Sequence, residues 1–247
     1  MWTTIEDENK MNSWNRKWVY LFRQSKAGRD QFGNACLILL MLTAVVLPSA
    51  GTVVHAQHKG YTPVGNLDAF KESFSKESSK IQTIVSSFTQ EKQLIALTET
   101  ITSTGEFWFK RSNQVRIDYK KPFVYRMIMN GDRILIKDEQ KENRINVRSN
   151  KLFQQVNRIM LDCIQGSILS SKDFSTRVFE DKTHYLLELT PTGKGIRDFF
   201  DVILLKVEKS DYSVSSIEMI EPGGDKTLMS FTDKTINSPV NDAVFAL

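Results

Sequence analysis

Few side chains in this chain of 247 residues could do covalent or metal chemistry. Cys163 and His184 are the one conceivable nucleophile and base. Cys163, however, shares a helical stripe with Leu152, Val156 and Ile159, where a cysteine behaves as a small apolar residue. His58 lies in a polar stretch ahead of the first periodic segment, so Cys163 and the two histidines do not supply the three or four close ligands a metal requires. "GGDKT", Gly223 to Thr227, looks like the end of a phosphate loop, but Asp225 stands where glycine is needed and no upstream glycine completes the pattern. Pro222-Gly223-Gly224 reads instead as a hairpin turn. Carboxylates such as Asp118 and Glu188 alternate with apolar neighbours, as solvent-facing strand positions do. The expectation is a binding protein with no catalytic set, no metal and no cofactor.

The abundant chemistry is apolar. In "GEFWFKRSNQVRIDYKKP", Gly105 to Pro122, Val115, Ile117 and Tyr119 alternate with Arg116, Asp118 and Lys120, the period of a strand with one apolar face. Phe107, Trp108 and Phe109 are apolar on both faces of the preceding strand. Phe88, Tyr125, Met127, Met129, Ile134 and Ile136 add aromatic, branched and flexible surface, and methionine suits spaces that take guests of variable shape. An ordinary core and a space kept for a guest are both open on these residues. Arg111 sits at the elbow between the two strands. Covered by another element, its five donors would need acceptors, and the carbonyls of a helix end would serve.

The elements that must position these residues follow from period and punctuation. Leu67, Phe70 and Phe74 recur at i, i+3 and i+7, so a helix is expected there with Asn66 as its N-cap. Strands are expected from Ile84 through Arg148, with Asn130-Gly131-Asp132 as a hairpin turn. A second helix is expected over about Asn150–Gly166, followed by further strands to the C-terminus. The sum is a mainly β (α+β) chain with about ten short antiparallel strands, one helix before them and one inserted midway. Such a sheet curls into a barrel or a sandwich, and the helices must bury their apolar faces on it.

The first 56 residues differ in kind. Arg16, Lys17, Arg23, Lys26 and Arg29 precede the apolar run "CLILLMLTAVVLP", and Val54-His55-Ala56 offers small residues before a cut. This is the pattern of a secretory signal peptide over residues 1–56, with an uncleaved anchor as the alternative. Residues 57–66 read as a flexible leader and residues 67–247 as one domain. Basic residues outnumber acidic ones about two to one between Lys92 and Arg158, which fits an acidic partner or an anionic membrane surface. Export removes nucleic acid as a partner. With Cys163 alone after residue 56, no internal disulfide is expected.

The segments "SSFTQEKQ", the Gly105–Pro122 elbow, the "MNGDRILIKD" hairpin, the helical insert and the closing "INSPVNDAVFAL" together resemble the LolA-type outer-membrane lipoprotein carriers. The resemblance implies an incomplete antiparallel β-barrel with a helical lid over an apolar cavity. It implies a periplasmic chaperone that takes the acyl chains of lipoproteins from an inner-membrane release transporter and delivers them to an outer-membrane acceptor, acting as a monomer. By residue, it implies Arg111 as the lid latch. The cavity would be lined by Phe88, Phe107, Trp108, Phe109, Val115, Ile117, Tyr119, Tyr125, Met127, Met129, Ile134 and Ile136, with the sense of each strand open by one register. Phe70, Phe74, Leu152, Val156 and Ile159 would form the underside of the lid. The chain departs from the family pattern at Ser112, where the family has proline, and at Val115, where it has an apolar aromatic residue. A sensor or scaffold of the cell envelope on the same fold is the alternative.

Overall fold

The structure is a computed structural model that describes residues 58–95, 99–111, 113–139, 141–146, 158–159 and 161–247. The signal-peptide expectation for residues 1–56 and the positions Leu152 and Val156 lie outside the described residues.

Helix α1 spans Leu67–Ser79. Asn66 caps it by accepting a hydrogen bond from the Ala69 amide at 3.0 Å, and Asp68 in the first turn and Lys76 in the last complement the helix dipole. Its buried residues, Phe70, Phe74 and Ser78, are each one turn apart on a single face. Leu67, which the period placed on that face, is 36% exposed because it begins the first turn, beyond the covered part of the helix.

Twelve strands follow the expected order: β1 (Thr62–Pro63), β2 (Thr83–Leu94), β3 (Glu99–Lys110), β4 (Gln114–Lys121), β5 (Tyr125–Asn130), β6 (Arg133–Asp138), β7 (Glu142–Asn146), β8 (Phe174–Glu180), β9 (His184–Pro191), β10 (Val202–Glu208), β11 (Val214–Ile220) and β12 (Lys226–Ile236). They form one sheet in the order β1-β8-β9-β10-β11-β12-β2-β3-β4-β5-β6-β7, antiparallel throughout. The sheet is not closed, since β1 and β7 remain edges. The long-range joint is β12 against β2, where Phe231 pairs with Phe88. Strand β1 was not anticipated: two residues of the expected leader pair with Phe179 and Glu180 on the sheet edge. Of the expected midway helix, residues 158–159 and 161–165 are described and helical, and Ile159, Leu161, Cys163 and Ile164 are buried.

Register settles which residues share a face, because side chains alternate along a strand and paired residues point the same way. One face carries the rungs Phe88–Gly105–Tyr119–Tyr125, Phe107–Ile117–Met127–Ile136 and Phe109–Val115–Met129–Ile134. Further along, the same face carries Leu187–Leu205 and Leu189–Ile203. Helix α1 lies over it: Phe70 meets Tyr185 at 4.6 Å between ring centroids, and Phe74 meets Tyr212 at 6.3 Å. The opposite face of β3 to β6 has its own small core. There Ile128, Leu135 and Phe245 pack with Trp108, Val240 and Val244, under a 3-10 turn over Asp242–Phe245.

Candidate functional site

The site is the apolar ladder together with the elbow that ties α1 to it. Glycine at position 105 is required by packing. A Cβ there would lie 2.0 Å from the Asp118 carbonyl oxygen and 2.7 Å from the Phe88 ring. Its absence lets the Phe88 ring lie across the strand, where it meets Tyr119 edge-on at 4.9 Å. Tyr119 stacks on Tyr125 at 4.4 Å and donates its hydroxyl to the Gln90 side-chain oxygen at 2.8 Å. Burial pushes the Tyr119 phenol up to about 12 and raises that of Tyr125 as well, so both rings stay neutral. Phe109 and Val115 are fully buried, and Phe107, Ile117, Met127, Met129, Ile134 and Ile136 are buried beside them. The expected lining residues of β2 to β6 therefore share one face, with one exception.

The exception is Trp108. It pairs with Arg116, one register position off the ladder, and points to the opposite face. Its ring packs against the small core beneath Asp242–Phe245, and the Arg116 guanidinium lies 5.0 Å from its centroid. The cause is strand alternation: with Phe107 and Phe109 on the ladder, Trp108 cannot be.

Arg111 turns back onto α1. Its Nε donates to the Ile81 carbonyl at 2.8 Å and its Nη2 to the Ser78 carbonyl at 2.7 Å, while its backbone amide donates to the Gln82 carbonyl at 2.7 Å. These carbonyls belong to the C-terminal end of α1 and the segment after it, where the helix dipole is negative. Among the described residues, the carbonyls that accept from Arg111 come from the first helix and the segment that leads it into β2. The midway helix reaches α1 separately, through Gly166. That residue has φ +77°, and a Cβ there would stand 2.7 Å from the Ser78 Cβ. Phe70 and Phe74 are buried on the covered face of α1, and Ile159 is buried on the midway helix.

Pattern reading also missed polar groups on both faces of the sheet. Lys92, on the ladder face of β2, pairs with Glu221 at 3.1 Å, and both side chains are almost completely buried. Burial raises the Glu221 carboxyl above its usual range even against the Lys92 charge. A lysine inside an alternating strand was the available signal. Two carboxylates read as solvent-facing are covered instead. Glu188 accepts from His58 at 2.8 Å and from Arg177 Nε at 2.9 Å, because the segment before β1 crosses that face. Asp118 is held between Arg116 and Arg126. Burial opposes its charge, but these hydrogen bonds outweigh burial and keep the carboxyl below its usual range. Near His58, a cavity of about 260 Å³ on the face opposite the ladder is lined by His58, Tyr61, Leu186, Leu204 and Leu228 with Lys59, Lys206, Ser216 and Glu218. Cys163 is buried, which pushes its thiol well above the ordinary range, and the His184 ring meets Glu208 and Asp181 rather than the thiol. Among the described residues, no group of three or more potential metal ligands occurs.

Comparison with known proteins gives the following. No curated protein matches the chain at a significant level. Solved structures with a similar fold include a LolA superfamily protein from Nitrosomonas europaea, 13% identical, covering 72% of this chain and 97% of that one, with a TM-score of 0.39. A putative outer membrane lipoprotein-sorting protein domain from Vibrio parahaemolyticus is 10% identical, covering 71% and 94%, with a TM-score of 0.40. The MucA/MucB complex of Pseudomonas aeruginosa is 13% identical, covering 72% of this chain and 60% of that one, with a TM-score of 0.44. Residues 79–247 match the family described as outer membrane lipoprotein carrier protein LolA. That match takes in the ladder, the elbow and the C-terminal turn, and the chain belongs to the LolA family.

Proposed function

We propose that this chain is a carrier of lipoproteins in the cell envelope, which binds their acyl chains on the apolar ladder beneath α1. The observation that carries the reading is the elbow: a wide apolar face is roofed by a helix whose end is held to the sheet by two side-chain hydrogen bonds from Arg111. Each acyl methylene taken from water is worth about 0.8 kcal/mol. A lipid anchor therefore offers far more than a few hydrogen bonds cost to break. Since the ladder side chains are buried, entry of an acyl chain requires α1 and the midway helix to move away, with Arg111 releasing Ser78 and Ile81. The rungs Met127–Ile136 and Met129–Ile134 put flexible methionines where chains of differing length would lie.

In this reading the protein works in the periplasm as a monomer, without cofactor or catalysis. It receives cargo from an inner-membrane release transporter and passes it to an outer-membrane acceptor. Transfer runs toward the more apolar site and needs no nucleotide. Trp108 belongs to the scaffold rather than to the lining.

The test is mass spectrometry of lipidated species that leave the envelope with the native protein, combined with transfer between membrane fractions. Lipoproteins should co-purify, and Arg111→Leu should retain cargo uptake while losing delivery. Recovery of a signalling partner with no movement of lipoprotein would favour a sensor on the same fold. Absence of any lipidated species would refute the carrier.

A further inference from the structure

Two strongly exposed large apolar side chains between β4 and β5 need an explanation that the ladder does not supply. Phe123 is 79% exposed and Val124 is 56% exposed, side by side in the connection between β4 and β5. Ile95, 62% exposed, directly follows β2 at the same end of the sheet, and Ile101, 37% exposed, lies on the part of β3 that runs past the last β4 pairing, Thr104 with Lys121. The connecting segment itself carries charge of one sign, although Lys120 reaches Glu106 and Arg126 reaches Asp118 on the neighbouring strands. "YKKPFVYR", Tyr119 to Arg126, contains Lys120, Lys121 and Arg126 and no acid. Lys120 is 57% exposed while reaching Glu106, and Lys121 is exposed with no ion pair among the described residues.

We propose that this tip is a membrane-contact site, with Phe123 and Val124 entering the headgroup region of an anionic bilayer and Lys120 and Lys121 resting on its phosphates. Size favours lipid over protein. Two or three projecting side chains, at roughly 150–250 Å² for an aromatic one, fall short of the ~800 Å² per partner of a stable protein interface. A bilayer interface rewards this combination of a few inserted apolar groups and neighbouring lysines. No helix among the described residues is long and apolar enough to cross a membrane. Placement also fits: Arg111 sits between β3 and β4 at the opposite end of the sheet, so a tip resting on lipid leaves the elbow free. The inference stands on the tip alone and does not depend on what the ladder binds.

A local probe tests it in the full chain, whatever the N-terminal segment does. In a Cys36→Ser background, Phe123→Cys carries an environment-sensitive nitrobenzoxadiazole label, and Lys182→Cys, at the far end of the sheet, carries it as the control. With protein-free vesicles containing phosphatidylglycerol, emission at position 123 should rise severalfold and shift to the blue, with no change at position 182. The rise should shrink with vesicles of phosphatidylcholine alone, in the Lys120→Gln/Lys121→Gln variant, and at high salt. No response at position 123, or an equal response at position 182, overturns the site. A response to protein-bearing membrane vesicles but not to pure lipid makes the tip a protein-docking surface and overturns the lipid assignment.

Discussion

Replacing Arg111 by leucine isolates the contact on which the elbow turns. Leucine keeps an apolar stem and the backbone bond to Gln82, but removes the donors to the Ser78 and Ile81 carbonyls. Hydrogen bonds from a charged group contribute about 1.5–3 kcal/mol each when their acceptors are left without a substitute. The elbow is half-buried, so water reaches the freed carbonyls and the combined loss falls to about 1–3 kcal/mol. A loss of that size raises the open population of α1 by about 5- to 150-fold. Hydrogen exchange of α1 amides reads this directly, with the central strands β2, β3 and β10 as the internal reference. The expected outcome is faster exchange confined to residues 67–82. Arg111→Lys should fall between parent and leucine, because one ammonium cannot reproduce a planar fork that reaches two carbonyls. Unchanged α1 exchange would refute the reasoning, and so would a uniform acceleration in every strand, which would make Arg111 a global stabiliser instead of a local tie.

Two other perturbations follow from the same geometry. Gly105→Ala places a methyl group against the Asp118 carbonyl and the Phe88 ring, neither of which can retreat easily, so urea unfolding should show a loss of about 2–3 kcal/mol or more. Asp118, clamped by Arg116 and Arg126, has its folded pKa below its unfolded one. The stability it contributes is thus complete above the unfolded value near 4 and is lost as pH falls through the lower folded value. Asp118→Asn should flatten that acid limb of the stability–pH curve while leaving its slope near neutrality unchanged; an identical limb in both proteins would remove Asp118 as its source.

Much of this protein is written locally. The alternation of Val115, Ile117 and Tyr119 specifies a strand and the face it buries, Asn66 starts the helix, and Gly131-Asp132, one residue on from the Asn-Gly pair, turns the hairpin with Gly131 at positive φ, each through preferences that act over a few residues. The elbow was legible only as an arginine between two strands, whose donors would need carbonyl acceptors once another element covered it. Pairing across distance decided the rest. Whether Trp108 joined the lining depended on the registers of β2, β3 and β4 together, since a shift of one residue exchanges the faces. Which helix Arg111 would hold depended on where the chain places α1, and spacing along the sequence does not carry that information. The burial of Glu188 and Lys92 required segments remote in sequence, those carrying His58 and Glu221, to meet them, and Asp118 required pairing with the strand that carries Arg126. Period reports which side of an element is apolar; only the assembled sheet determines what covers each side, because covering is a contact between distant parts of the chain.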